Sequence, residues 1–417
     1  MRRIRIDFAV AVEIRPVRPD EFERVHFLVA YSFSGDRTEE GRERYRHVEE
    51  MAPGFGLFED GEMVACLRIF PLAMIVNGSS LPMGGVSSVA CLPEHRRKGY
   101  VGELLRYALG VMREQGQAIS ALFTPHPSLY RRYGWMVAST GLIYKFRPKD
   151  IAPVKPGRPR GRAYRAGEED WPTLSDVYQR FVAGRNGYMD RSERWWKEAV
   201  LRRIYDEKRR LSDVAVWSDE GGEPRGYVTY QNIREPGRDG FPSDRTAVRE
   251  FMALDGDAYT GLLRYLLSHD LADEISWFGP ADAPLILAVD DSGRVKGERF
   301  DGFMLRVVDV EKAVAGRPPA TAAPEGAFAL RVSDAAAAWN QATWRIECAG
   351  GKLSAHKTDG AADIATDAAT FAAMYNGFLR PSEAVRAGLA EADDTERLSL
   401  ADRILATDYP PAPGDFF

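Results

Sequence analysis

Apolar and polar positions alternate with two different periods along this chain. Val86, Val89 and Cys91 lie in a strand-like run that Pro93 ends. From Val101 the apolar positions Leu104, Leu105, Ala108, Leu109 and Met112 recur at helical spacing, which predicts an amphipathic helix. "AISALF" (Ala118–Phe123) then reads as another strand. Near the start, "EIRPVRPDEFERVHFLVAYSF" (Glu13–Phe33) predicts a short strand, a cap at Asp20 and an amphipathic helix. "AYRAGEEDWPTLSDVYQRF" (Ala163–Phe181) repeats that order. Towards the end, "RIECAGGKLSAHKT" (Arg345–Thr358) alternates like a hairpin, and "DAATFAAMYNGFL" (Asp367–Leu379) reads as a helix. The fold class is therefore mixed α+β.

Two stretches interrupt the pattern. "IAPVKPGRPRGR" (Ile151–Arg162) and "AGRPPATAAPEG" (Ala315–Gly326) are rich in Pro and Gly, as linkers and long surface loops are. They suggest three segments, 1–150, 151–300 and 301–417. The first two echo each other. Arg15…Asp20 is mirrored by Arg165…Asp170, and "GELLRYAL" (Gly102–Leu109) by "GLLRYLL" (Gly261–Leu267). Two echoes in the same order point to a duplicated fold.

Composition narrows the classes. The chain has 417 residues, 45% hydrophobic and 28% charged, the profile of a soluble, multidomain globular protein. A net charge of −5 provides no general attraction for nucleic acid or an anionic membrane. Cys66, Cys91 and Cys348 are far apart and form no CxxC, which suits a reducing cytoplasm. The N-terminal "MRRIRIDFAVAVEI" has an apolar run that Asp7 and Glu13 cut too short for a signal peptide. Eighteen successive apolar residues occur nowhere, so no membrane span is expected. The six histidines have no metal-ligand spacing, and no metal is expected.

The most informative stretch is "LPEHRRKGYVGELLRYAL" (Leu92–Leu109), a strand, a basic glycine loop and a helix in that order. A helix start offers free N–H groups and partial positive charge, a ready site for phosphate. Gly99 permits close approach of an anion to the backbone, and Arg96, Arg97 and Lys98 add charge-assisted hydrogen bonds. The equivalent place in the second segment is "LDGDAYTG" (Leu254–Gly261), where Asp255 and Asp257 would repel an anion. No GxxxxGK[ST] and no GxGxxG with a following acid is present.

What this stretch resembles is the R-x-x-G-x-[GA] pyrophosphate loop of the GNAT N-acetyltransferase superfamily. Here it reads Arg96-Arg97-Lys98-Gly99-Tyr100-Val101, with Gly102 one place late. "LYRRYGW" (Leu129–Trp135) resembles the superfamily's Y-x-x-x-G-[FW] segment. With "DGFMLRVVDVEKAVAGR" (Asp301–Arg317) and a chain end in Phe, nearly all of the sequence is similar to the Eis-type (enhanced intracellular survival) acetyltransferases of bacteria. That resemblance implies an active GNAT domain (1–150), a degenerate one (151–300) and a sterol-carrier-protein-like domain (301–417). It also implies acetyl-CoA as co-substrate and assembly as homohexamers.

The resemblance assigns roles as well. Val89, Ala90 and Cys91 would form the strand edge that meets the pantetheine arm, with Arg96 to Gly102 around the pyrophosphate. His126 lies near the expected thioester end, either as a cofactor contact or in a structural role. Tyr130 would be the general acid for the departing thiolate. Pro410, Pro411 and Pro413 stiffen the tail "TDYPPAPGDFF" (Thr407–Phe417). The tail either pins the terminus or delivers the Phe417 carboxylate as the general base that the family implies. Desolvation among aromatic rings would strengthen such a base.

On the acceptor side the candidates are Phe33, Asp36 and Phe416. The penultimate Phe416 stands where the aminoglycoside-modifying family member contributes to an acidic pocket. Aminoglycosides, polyamines, small metabolites and protein lysines all remain possible acceptors. A non-catalytic acyl-CoA or lipid sensor is the alternative from another class. Cys91 as a covalent nucleophile is disfavoured, because no His–Asp arrangement accompanies it. Trp195 and Trp196 fit core packing or an aromatic pocket.

Overall fold

The computed structural model describes residues 11–155, 157–205, 212–236 and 242–417. Three sheets organise them. The first contains β1 (Val12–Pro16), β2 (Gly54–Glu59), β3 (Glu62–Val76), β4 (Ser79–Cys91), β5 (Ile119–Leu122) and β6 (Met136–Val137). The second contains β7 (Thr140–Phe146), β8 (Arg162–Ala166), β9 (Asp213–Ser218), β10 (Pro224–Pro236), β11 (Pro242–Ala253), β12 (Glu274–Pro280) and β13 (Lys296–Asp301). β14 (Met304–Val307) returns to the first sheet and lies between β5 and β6, antiparallel to both. β15 (Gly326–Ser333), β16 (Ala342–Ala349), β17 (Lys352–Thr358), β18 (Ile364–Asp367) and β19 (Ala390–Ala392) make the third.

Strand pairing divides the chain differently from segment cuts at 150 and 300. β7 belongs to the second sheet, between β13 and β12, and β14 to the first. The two crossings are tied to each other. Gly302 N donates to Ser139 O at 3.0 Å and Ala138 N to Phe303 O at 3.1 Å. Phe303 N donates to Ser139 Oγ at 2.8 Å. Short strands exchanged between sheets leave no compositional boundary behind, which is why the pattern did not show them.

The helices follow the periodicity more closely. α1 (Phe22–Ser32) and α2 (Glu39–Met51) precede β2, and α3 (Tyr100–Glu114) follows β4. Leu104, Leu105, Ala108, Leu109 and Met112 are all fully buried beneath the first sheet. The expected Asp20 cap is replaced by its neighbour. Glu21 accepts from Arg18 N at 2.9 Å and pairs with Arg15, while Asp20 faces the Arg18 side chain. Asp367 caps the expected third-segment helix, observed as Ala368–Tyr375, with Thr370 N donating to its carboxylate at 2.6 Å. Gly350 and Gly351, both at positive φ, turn the expected β16–β17 hairpin.

The duplication is visible in the packing of the echoed helices. A Cβ on Gly102 would stand 2.0 Å from the Tyr133 hydroxyl, and one on Gly261 would stand 2.4 Å from the Trp217 ring. Each glycine lets an aromatic side chain press on its helix. The third body packs against the first sheet through the fully buried Ala368–Tyr375 helix. Arg306 of β14 forms an ion pair with Asp334, both side chains 1% exposed. The expected linker at Ala315–Gly326 is not solvent loop throughout. Arg317 within it is 1% exposed and donates to the carbonyls of Tyr375, Leu405 and Ala406. No helix among the described residues is long and apolar enough to cross a membrane.

Candidate active site

β4 and β5 run parallel but pair only from Met83↔Ile119 to Gly85↔Ala121. Beyond Gly85 they part. The β4 edge from Val86 to Cys91 that faced β5 then has no strand partner among the described residues. Its other edge stays on β3, with a register slip between Cys66↔Ala90 and Arg68↔Ser87. Ser88 sits at this bulge with φ +52°. Tyr45 of α2 reaches the Ser88 hydroxyl at 3.3 Å, and Arg68 Nε donates to the Tyr45 hydroxyl at 3.1 Å. The notch thus leaves one edge of β4 around Val89–Cys91 without a strand partner among the described residues, and an open strand edge presents backbone groups that need partners.

The basic loop follows at the end of β4. Arg96 Nε donates to Cys91 O at 3.0 Å. Arg97 (φ +65°) and Gly99 (φ +90°) turn the chain into α3. A Cβ placed on Gly99 would meet nothing within 4 Å, so the helix start faces open space. Tyr100 opens α3, and Val101 and Tyr100 pack partly on the core beneath it.

Lys98 and Tyr100 are not directed to that space. Glu59 accepts from Lys98 at 2.7 Å, and also from Tyr100 and His95. Lys98 first, then Tyr100, hold the Glu59 carboxyl down to about 2. On the acid side this clamp is therefore fully formed above the usual carboxylate range and is lost as pH falls through about 2. Among the described residues, Arg96 and Arg97 have no carboxylate partner.

Past β5, Phe123 leads to α4 (Pro127–Arg131), where Tyr130 is 8% exposed. Burial pushes the Tyr130 hydroxyl up to about 12, tempered by a hydrogen bond with Thr124. His126 is exposed at the start of α4, its backbone N–H donating to Thr124 Oγ1 at 2.9 Å. Gly134 (φ +92°) turns the chain after Tyr130, and a Cβ there would stand 2.6 Å from Arg306 Nε. Burial keeps the thiol of Cys66 protonated, up to about 12, and raises that of Cys91. Trp195 and Trp196 are core residues, 4% and 1% exposed.

The tail ends in the notch. A Cβ on Gly85 would stand 2.8 Å from the Phe417 ring, so the last side chain covers the point where β4 and β5 part. Phe70 and Phe123 flank it at ring-centroid distances of 6.3 and 5.5 Å, and Phe416 lies 4.4 Å from Phe123. The second body holds the tail. Arg191 donates to both Asp415 oxygens, at 2.9 and 3.0 Å, and to Glu250. Tyr227 also donates to Glu250, at 2.7 Å, and the Arg191 guanidinium lies 3.9 Å above the Tyr178 ring. Sequence reasoning missed this anchor, since Arg191 and Asp415 lie 224 positions apart.

Phe33 is 59% exposed and shares a cavity of 210 Å³ with Asp36, His26 and Tyr45. Asp36 Oδ1 accepts from both the backbone N–H and the hydroxyl of Thr38, at 2.9 and 2.6 Å. Tyr45 connects this cavity to Ser88 of β4.

The second copy is closed by its own acids. Asp255 caps the helix Gly256–Leu267, accepting from Asp257 N and Ala258 N at 3.0 and 2.9 Å, and pairs with Arg225. Asp257 pairs with Lys155 and Arg160. These carboxylates take the N–H groups and cations that would otherwise serve a phosphate. Titration of the chain with acetyl-CoA by calorimetry is therefore expected to give one site per chain. Two equivalent sites would refute the closure.

An acetyltransferase (GNAT) domain signature matches residues 13–138, a second acetyltransferase (GNAT) domain signature residues 187–307, and a sterol carrier protein domain signature residues 310–413. An uncharacterized N-acetyltransferase of Streptomyces coelicolor is 28% identical over 91% of this chain and 93% of its own. N-acetyltransferase Eis of Mycobacterium tuberculosis is 25% identical, over 94% and 96%. The crystal structure of Eis1 from Mycobacterium abscessus superposes with a TM-score of 0.82 at 25% identity, covering 97% of this chain and 100% of that one. Fold and signatures define a tandem GNAT N-acetyltransferase, an enzyme whose fold implies use of acetyl-CoA. Within that class the chain is similar to the Eis type, and it carries two GNAT domains followed by a sterol-carrier-protein-like domain.

Proposed function

We propose that this chain acetylates a primary amine by direct attack on acetyl-CoA in the β4–β5 notch of the first body. Tyr130 acts as general acid and the Phe417 carboxylate as general base. The observation that carries this reading is the Phe417 ring seated on Gly85, where the two strands part. The residues present suit acetyl-CoA: the helix start over Gly99 is open, and this edge of β4 has no strand partner among the described residues.

Arg96, Arg97 and the N–H groups at Gly99–Gly102 hold the pyrophosphate. The backbone of Val89–Cys91 aligns the arm, and His126 lies at its far end. Bound acetyl-CoA supplies an acetyl group already activated as a thioester. Phe417 takes a proton from the incoming ammonium, so that nitrogen presents a lone pair. Tyr130, kept protonated by burial across the neutral range, gives its proton to the departing sulfur as the C–S bond breaks, and the second proton that nitrogen loses on becoming the amide restores the Tyr130 hydroxyl. Proton donation of this kind requires a group in the acid form at working pH. Phe33 and Asp36, beside Tyr45 and Ser88, and Phe416 beside Phe123 line the acceptor's approach. The family's homohexamer is part of the same reading, and light scattering of the purified chain checks it.

Arg97→Glu tests the cofactor side. The loop is exposed, so the fold should persist. The acetyl-CoA KM should rise about tenfold or more, the size of one lost charge-assisted bond, with little change in the amine KM. Lys98→Glu should act differently, because it disrupts the Glu59 clamp. An unaltered acetyl-CoA KM in Arg97→Glu would remove the pyrophosphate assignment.

A further inference from the structure

A cavity of 430 Å³ opens on the other side of the tail. Phe416 lines it, and the same ring lies against Phe123 at the notch. The cavity is therefore one residue away from the proposed base. Its far wall is aromatic, Phe278 and Phe300 with ring centroids 6.0 Å apart. Gly141 lacks a Cβ where the Phe300 ring approaches, at 2.3 Å from the ideal position.

The charges around this space are not equivalent. Glu250 and Asp415 line it, but each of their oxygens already accepts from Arg191 or Tyr227 behind the wall. Arg203 also lines it, and its guanidinium stands 5.8 Å from the Trp195 ring. Arg249 is the exception. It is exposed on β11, its guanidinium stands 5.4 Å from the Phe278 ring, and it has no ion pair or hydrogen bond among the described residues. Arg191 is taken up by Glu250 and Asp415, which leaves the Arg249 guanidinium with no carboxylate partner among the described residues. A guanidinium braced on an aromatic face offers a flat fork of donors, suited to a carboxylate.

We infer that this cavity receives the distal part of the acceptor, and that Arg249 selects amines carrying a carboxylate beyond an apolar or aromatic spacer. This rests on the amine-acetylating reading above. The aromatic walls accept the spacer, Arg249 the anion, and the amine projects past Phe416 to the notch. A polycationic acceptor meets Arg249 as a like charge, so discrimination comes from repulsion as well as attraction.

The test uses a matched pair, 4-(aminomethyl)benzoate and its primary amide, with the full-length chain. Binding is measured by calorimetry in the absence of acetyl-CoA, and turnover by CoA release. The acid should bind about tenfold more tightly than the amide, the effect of one charge-assisted hydrogen bond. Arg249→Gln should bring the ratio near one, through acid KM rather than kcat, and Arg249→Lys should restore part of it. Equal affinities in the wild type, an unchanged ratio in Arg249→Gln, or no binding of either probe would each overturn the inference. Failure of the acetylation reading looks different: the acid binds through Arg249, yet no amine releases CoA.

Discussion

Tyr130→Phe is expected to keep acetyl-CoA affinity and fold while lowering kcat by roughly two to four orders of magnitude, the usual contribution of a positioned proton donor. The substitution removes one oxygen from a residue that is 8% exposed and packed in the α3 core, so the ring still fills its place. Because burial holds the hydroxyl up to about 12, Tyr130 stays in its acid form throughout the neutral and mildly alkaline range. The wild-type rate should show no alkaline loss from this group until pH approaches that value. Near-normal kcat in Tyr130→Phe, with unchanged affinity by calorimetry, would reassign the proton to water.

The tail carries the second large effect. A variant with a few residues appended after Phe417 takes the free α-carboxylate away from that residue while keeping Asp415 available to Arg191. Turnover should fall by about two orders of magnitude or more, with acetyl-CoA affinity retained. Phe417→Ala at the same length should retain more activity, since its carboxylate remains. Asp415→Asn separates delivery from chemistry. It leaves the buried Arg191 with Glu250 as its remaining carboxylate partner among the described residues, and breaking a buried pair costs about 3–5 kcal/mol. The melting temperature should drop, and kcat should fall even where the chain remains folded. A fully active appended variant would reduce the tail to an anchor.

What the sequence made legible was local. The spacing of Leu104, Leu105, Ala108, Leu109 and Met112 encodes the buried face of α3 directly, because one helix face repeats every three to four residues. Gly99 directly after Arg96, Arg97 and Lys98 encodes a helix start open to an anion. The echo of "GELLRYAL" in "GLLRYLL" was visible because both copies keep a glycine under an aromatic ring, Tyr133 in one and Trp217 in the other. Partners distant in sequence left no such trace. Lys98 reads as a phosphate ligand until Glu59, 39 residues earlier, is seen to hold it. Arg317 reads as linker until its three buried carbonyl partners are seen. The exchange of β7 and β14 is equally silent, for a strand's pattern records which face is buried and not which sheet it joins.

These distant partners also change the functional picture. Arg191, in the second body, fixes Asp415, and through it the tail that reaches the first body's notch. The second body therefore clamps the tail that reaches the first. Its own helix start is occupied by Asp255 and Asp257.

The most direct measurement is amine-dependent CoA release from acetyl-CoA across a panel of acceptors, with the acetylated product identified by mass spectrometry. The panel should span aminoglycosides, polyamines, amino-carboxylates and a lysine peptide. Release should require an amine, yield the matching N-acetyl product, and fall by orders of magnitude in Tyr130→Phe and in the tail-extended variant. Acetyl-CoA bound at one site per chain with no amine acetylated, or acetylation undiminished in both variants, would contradict the proposed mechanism.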